Sequence, residues 1–187
     1  EVPIQKMVEQ FPRVTGWRGG WLLFLVEQSR LDEAGDTLDV LLAEGALAAP
    51  KRNEWFALIG AMTIAAERVG HRQCAEALLV KLQPHADQLA LVGYGSYCFG
   101  SVHQLIGQCH SALGEFPLAE HHFRRAIEVN RVAGARPAMA RALSDLARLY
   151  ATNQRDHERI ACLRHAASIC SQLGMYRLRR RLREVRS

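Results

Sequence analysis

Nothing in this chain is apolar for long. The longest uninterrupted apolar run, Trp21-Leu22-Leu23-Phe24-Leu25-Val26, has six residues, against the roughly 20 that a spanning helix needs, so no membrane contact is expected. Cysteine is sparse and odd in number, at five, which excludes a complete disulfide framework, and no metal-knuckle spacing occurs. Cys162 and Cys170 fall on one predicted helix, about 12 Å apart along its axis, too far to bridge. Buried, inert thiols in a reducing cytoplasm fit this usage. The first residues lack the basic, apolar and small-residue order of a secretory signal, and residue 1 is Glu. A piece of a larger cytoplasmic protein is therefore expected.

The motifs of catalysis and cofactor binding are also missing. The segment Gly93-Tyr94-Gly95-Ser96, with Gly100 soon after, precedes a predicted helix, the local geometry that cradles phosphates. It lacks the Lys-Ser/Thr of a P-loop and the third glycine of a dinucleotide fingerprint, so it reads as a turn with Ser96 as N-cap. Eight histidines include His103 and His110, seven apart, and the pair His121-His122. No His-Glu-x-x-His is formed, and packing and surface roles are expected instead of a metal. No Ser sits in a nucleophile elbow, Cys98 and Cys109 have no motif around them, and Asp32, Glu33, Glu115 and Asp145 read as helix-end or solvated acids. No catalytic residue, metal or cofactor is assigned.

The net charge of +5 is confined to the end of the chain. Residues 175–187 carry Arg177, Arg179, Arg180, Arg181, Arg183 and Arg186 against Glu184 alone. The other 174 residues hold 18 bases and 18 acids, so any electrostatic contact with a polyanion falls on this tail. Met175, Leu178, Leu182 and Val185 recur at steps of three and four, which makes residues 175–186 an amphipathic capping helix.

What the chain does have is a repeat. In Ser101–Val129, Ile106-Gly107 is followed by Gly114, Ala119, Phe123 and Ala126, the spacing of a helix, a tight turn and a second helix packed closely on the first. An offset of 40 gives Leu146-Ala147, Gln154, Arg159, Leu163 and Ala166. An offset of 44 backwards gives Met62-Thr63, Gly70, Ala75, Leu79 and Leu82, and a further 41 gives Leu22, Ser29, Ala34, Leu38 and Leu41. Gly70 and Gly114 suit a left-handed helix end, whereas at Gln154 the preceding Asn153 is expected to end the helix. The spans are a short helix at 4–11, then hairpins at about 17–44, 53–83, 97–132 and 137–173. No segment alternates long enough to predict a strand.

The third hairpin resembles a tetratricopeptide repeat at Gly107, His110, Ala119, Phe123 and Ala126, with His103, Arg131 and Arg159 departing from the pattern. The fold class implied is all-α, a right-handed array of about four tetratricopeptide-like (TPR-like) hairpins in one domain. In such arrays the first helix of each pair lines the concave surface. The resemblance therefore places Glu67, Arg68, Gln104, Gln108, Arg141, Ser144 and Arg148 on a face suited to a peptide and its carboxylates. Arg177, Arg179, Arg180, Arg181 and Arg183 form a possible basic contact.

A second resemblance covers about residues 20–175. It rests on Leu82-Gln83-Pro84-His85-Ala86, Val92-Gly93, Cys98-Phe99-Gly100-Ser101-Val102, Ala119-Glu120-His121-His122-Phe123, Ala126-Ile127-Glu128-Val129-Asn130, Gly134-Ala135-Arg136-Pro137 and Leu146-Ala147-Arg148-Leu149. These stretches look like the C-terminal helical region of large bacterial signalling regulators that join a switch ATPase to a nucleotide cyclase domain or a LuxR-type helix-turn-helix. The resemblance implies a non-catalytic sensor or scaffold arm with a protein partner or neighbouring domain, and self-association through an open end of the array. A small-molecule effector in the groove, or nucleic acid on the Arg-rich helix, are the other classes this sequence admits.

Overall fold

The structure, a computed structural model, describes residues 2–11, 14–48, 55–93 and 97–184. Within them the chain forms ten α-helices and one two-stranded sheet. A short α1 (Val2–Gln10) precedes the hairpins α2 (Thr15–Glu27) with α3 (Leu31–Ala43), and α4 (Trp55–Val69) with α5 (Arg72–Leu82). The strands β1 (Leu89–Val92) and β2 (Tyr97–Ser101) follow. Then come α6 (Val102–Leu113) with α7 (Phe116–Val132), α8 (Arg136–Thr152) with α9 (Asp156–Leu173), and finally α10 (Tyr176–Glu184). The fold is an all-α array of helical hairpins, and no helix among the described residues is long and apolar enough to cross a membrane.

The four hairpins share one turn. In each, a backbone N–H reaches back five residues: Arg30 to Leu25 O, His71 to Ala66 O, Glu115 to His110 O and Arg155 to Tyr150 O, all at 2.9 Å. This 6→1 bond requires a left-handed residue just before the donor. Gly70 (φ +76°) and Gly114 (φ +78°) supply it without strain, whereas Ser29 (φ +57°) and Gln154 (φ +56°) supply it at a cost. Asn153 was expected to end α8 in the left-handed region; it caps the helix at φ −97° and Gln154 makes the turn instead.

Close packing inside the hairpins follows the small residues. Phe123 lies against the backbone of Gly107, where an added Cβ would stand 2.7 Å from the ring. Ala34, Ala75, Ala119 and Phe123 are all fully buried. Arg159, which takes the small-residue position of the fourth hairpin, turns its guanidinium to Asp156 Oδ1 at 2.8 Å. Cys74, Cys109 and Cys170 are buried, and burial pushes their thiols up, that of Cys74 to about 12.

The β-hairpin corrects the sequence reading, which found no strand and began the third repeat at 97. Leu91 pairs with Cys98 and Val92 with Tyr97, antiparallel, with an irregularity between Leu89 and Leu91. Strands of four and five residues are too short to leave a period-two signature. Helix α6 cannot start earlier because Gly100 adopts φ +103° and presses on α8, where a Cβ would come within 2.6 Å of Ala138 Cβ. Asn130 Oδ1 accepts from Ser101 N–H at 2.9 Å, and the Ser101 side chain accepts from His103 N–H at 3.2 Å. Ser101 is thus the N-cap of α6; Ser96, read from sequence in that role, lies outside the described residues with Tyr94 and Gly95. The hairpin occupies the link between the second and third repeats, where the offset is longest.

Helix α10 lays Leu182 and Leu178, with Met175 just before it, on the apolar cluster of the last repeat around Leu143, Leu163 and Ile169. Val185 and Arg186 lie outside the described residues.

Replacing Gln154 by Gly relieves the left-handed strain at the α8–α9 turn. A gain of about 0.5–1 kcal/mol is expected from urea unfolding, the relief being partly offset by glycine's greater unfolded-state entropy; a loss of stability would show that the Gln154 side chain matters more than its backbone.

Candidate functional site

The first helices of the second, third and fourth hairpins, α4, α6 and α8, share a concave side, and a cavity of about 670 Å³ opens there. Glu67 and Arg68 of α4, Gln104 and Gln108 of α6, and Arg141, Ser144 and Arg148 of α8 all line it. Of the five arginines of α10, Arg177 and Arg181 line the same cavity, while Arg179, Arg180 and Arg183 are exposed and do not. The helix therefore does not present its arginines as one face, because Leu178 and Leu182 fix its rotation against the last repeat.

Polar groups at the cavity floor tie the three hairpins together. Arg148 donates to Glu67 Oε1 and Oε2 at 2.9 and 2.7 Å, linking α8 to α4 across 81 residues. The same guanidinium lies 3.1 Å from Asp145 Oδ1. Asp145 Oδ2 accepts from Gln104 Nε2 at 2.7 Å and Gln108 Nε2 at 3.0 Å. An ionised carboxylate only accepts, so it fixes both amides with nitrogen towards Asp145. Their carbonyl oxygens, Gln104 Oε1 and Gln108 Oε1, are buried with no hydrogen-bond partner among the described residues. Each such orphan costs about 1–3 kcal/mol.

Burial pushes the Glu67 carboxyl up from the ordinary range against the pull of Arg148. Burial also works against the Arg148 charge, but Glu67 and Asp145 more than offset it and hold the guanidinium above its usual value. Asp145, which sequence reading took for a helix-end or solvated acid, is 6% exposed. Its partners lie 37 and 41 residues away on α6, beyond any local pattern.

Other walls were not named from sequence. The register itself carries three of them, since the 41-residue offset takes Ile64, Glu67 and Arg68 onto Leu23, Val26 and Glu27 of α2, all at the cavity. Tyr97 and Phe99 come from β2, whose carbonyls at Cys98 and Phe99 accept from Arg141 at 2.9 and 3.2 Å. Phe99 fits there because Gly60 has no side chain; a Cβ on Gly60 would lie 3.1 Å from the ring. Met175, just before α10, and Tyr176 and Leu178 of α10 also line it, and Arg181 reaches Glu27 of α2 in an ion pair. The two ends of the array thus meet beside the cavity.

The histidines form a separate cluster between α6 and α7. His103 and His122 approach through their Nδ1 atoms at 3.0 Å, and His122 stacks on His110 at 5.3 Å. His110 Nδ1 contacts Glu115 Oε2 at 2.6 Å, and His103 Nε2 lies 3.6 Å from Asp87. Among the described residues no group of three or more His, Cys, Asp or Glu side chains is arranged to hold a metal. Burial, then the neighbouring imidazoles, depress His122 to about 4. The half-buried ring is therefore neutral at pH 7.

Arg148→Leu leaves Glu67 and Asp145 without their cation. A loss of about 2–3 kcal/mol is expected in urea, below the 3–5 of a fully enclosed pair because the Arg148 side chain keeps 31% exposure to the cavity. A loss under about 1 kcal/mol would show that water replaces the guanidinium freely. The His122 shift gives a sign for acid. The unfolded ring binds a proton near 6.5 and the native ring near 4, so between these pH values the unfolded state holds more protons and stability falls as pH is lowered. His122→Gln should flatten that slope in unfolding measured from pH 7.5 to 4, whereas an unchanged slope assigns it elsewhere.

No family model and no curated protein sequence matches this chain. The fold has a solved counterpart: the crystal structure of nearly identical TPR-like repeats of a chain described as a kinesin light chain, from Podosopora anserina. It superposes with a TM-score of 0.51 at 12% identity, over 90% of this chain and 92% of that one. This chain folds as a TPR-like repeat array.

Proposed function

We propose that the chain is a non-catalytic interaction and sensing arm of a bacterial signalling or transcription regulator. In this reading it takes up a partner segment or effector on its concave side, in the cytoplasm. It then passes that event to ATPase and output domains carried elsewhere in a longer polypeptide. One observation carries the reading: side chains from three successive hairpins, Glu67, Arg68, Gln104, Gln108, Arg141, Ser144 and Arg148, converge on a single cavity. An array that builds one shared cavity across its repeats can convert occupancy into a change of curvature, because a ligand touching α4, α6 and α8 stabilises one arrangement of the three over others. The resemblance of residues 82–150 to the helical region of switch-ATPase regulators supplies the context. Nucleic-acid contact by α10 is the weaker reading, since two of its arginines serve the cavity instead.

An antibody raised against this chain should detect, in the native cells, a polypeptide much heavier than 20.9 kDa. Immunopurified, that polypeptide should hydrolyse ATP, at a rate altered by Arg148→Leu, while the isolated chain should not. A native species of 20.9 kDa without ATPase activity would remove the regulator context.

A further inference from the structure

We propose that the concave cavity is a binding site for a compact organic anion: a small molecule with an apolar body, one carboxylate or similar anionic group towards the mouth, and an N–H or O–H donor at the floor. This rests on the reading of the concave side as the sensing surface and names the chemistry of what is sensed.

Shape sets the size. A helix of 10–12 Å diameter and 5.4 Å pitch needs about 400–600 Å³ per turn, so 670 Å³ holds little more than one turn. The volume lies instead within the usual 300–1,000 Å³ of small-molecule sites. Helix α10 lines one side of it, and Arg181 joins Glu27 of α2 there. The occupant is therefore compact.

Charge sets the sign. Five arginines line the cavity (Arg68, Arg141, Arg148, Arg177 and Arg181) against three carboxylates, Glu27, Glu67 and Asp145. All three carboxylates already face an arginine: Glu27 faces Arg181, and Glu67 and Asp145 share Arg148. Arg141 gives one nitrogen to backbone carbonyls and lies over the Tyr97 ring at 6.0 Å, with no carboxylate facing it among the described residues. Arg68 and Arg177 are exposed at the mouth and make no hydrogen bond or ion pair among the described residues. Arg68 feels the Glu67 charge, but neither guanidinium has its donors occupied, so an anion entering there can pair with both.

The floor sets the remaining chemistry. Gln104 and Gln108 are 5% and 4% exposed, and both leave a carbonyl oxygen without a donor. The Ser144 hydroxyl beside them makes no hydrogen bond among the described residues. A donor placed in the cavity offers these two oxygens the partner they lack, with both amide nitrogens still on Asp145. Between floor and mouth the walls are apolar, formed by Leu23, Val26, Ile64, Phe99 and Leu178.

Anilinonaphthalenesulfonate has all three features: an aromatic body, an anilino N–H and an anion. N-phenylnaphthylamine is its counterpart without the sulfonate, and phenoxynaphthalenesulfonate its counterpart without the N–H. Calorimetry on this chain is expected to give one saturable site for the first probe, with N-phenylnaphthylamine weaker by about tenfold and the phenoxy analogue by about fivefold, as lost charged and neutral hydrogen bonds imply. The exposed substitutions Arg68→Gln and Arg177→Gln together should remove most of the preference for the sulfonate, and Ile64→Trp should abolish binding of all three. Multiple weak sites, equal affinity for the neutral probe, a sulfonate preference that survives the arginine substitutions, or binding that survives Ile64→Trp would overturn the assignment. Binding is read on this chain alone and the parent polypeptide by immunoblot, so either reading can fail without the other.

Discussion

The contact between Arg148 and Glu67 is the constraint on which the concave side depends. Apolar packing is non-directional, so it presses α4, α6 and α8 together without choosing which turn of one faces which turn of another. A single guanidinium nitrogen held between two carboxylate oxygens at 2.9 and 2.7 Å makes that choice, since displacement along either helix lengthens both contacts. Asp145 extends the choice to α6 through the two glutamines. The polar floor and the cavity above it are thus one construction. The cost is visible in the two carbonyl oxygens left without donors.

How much of this was legible in the sequence depends on the range of the interaction behind it. Helices were legible because apolar spacing and turn residues are local. The offsets of 41, 44 and 40 even place Ser29 and Gln154 at the same turn position as two glycines. The β-hairpin was not legible, because what forbids an earlier start of α6 is the contact of Gly100 with Ala138 and Asn130, each at least 30 residues along the chain. Asp145 was misread for the same reason: alone on α8 it looks like any exposed helix acid, and only α6 makes it buried.

The site shows the same division. Repeat register was enough to bring Ile64, Gln108 and Arg148 to one side, since they occupy the same position on successive first helices, and Glu67 lies on that side one turn after Ile64. It would also have supplied Leu23 and Val26 had the offset been carried back to α2. The crossing of α10 could not be read this way. Its apolar stripe says which helix it covers, but Arg181 reaches Glu27 from a distance of 154 residues, and no periodicity in the sequence encodes that closure.

The join between Arg181 and Glu27 is made where both side chains keep 44% of their exposure. An ion pair in such a setting contributes about 0–1 kcal/mol, close to thermal energy, and is screened by salt. The hairpins are held by buried apolar surface, but the clasp between first and last is weak. The array is therefore firm along its body and most easily parted at this seam, the more so as salt rises.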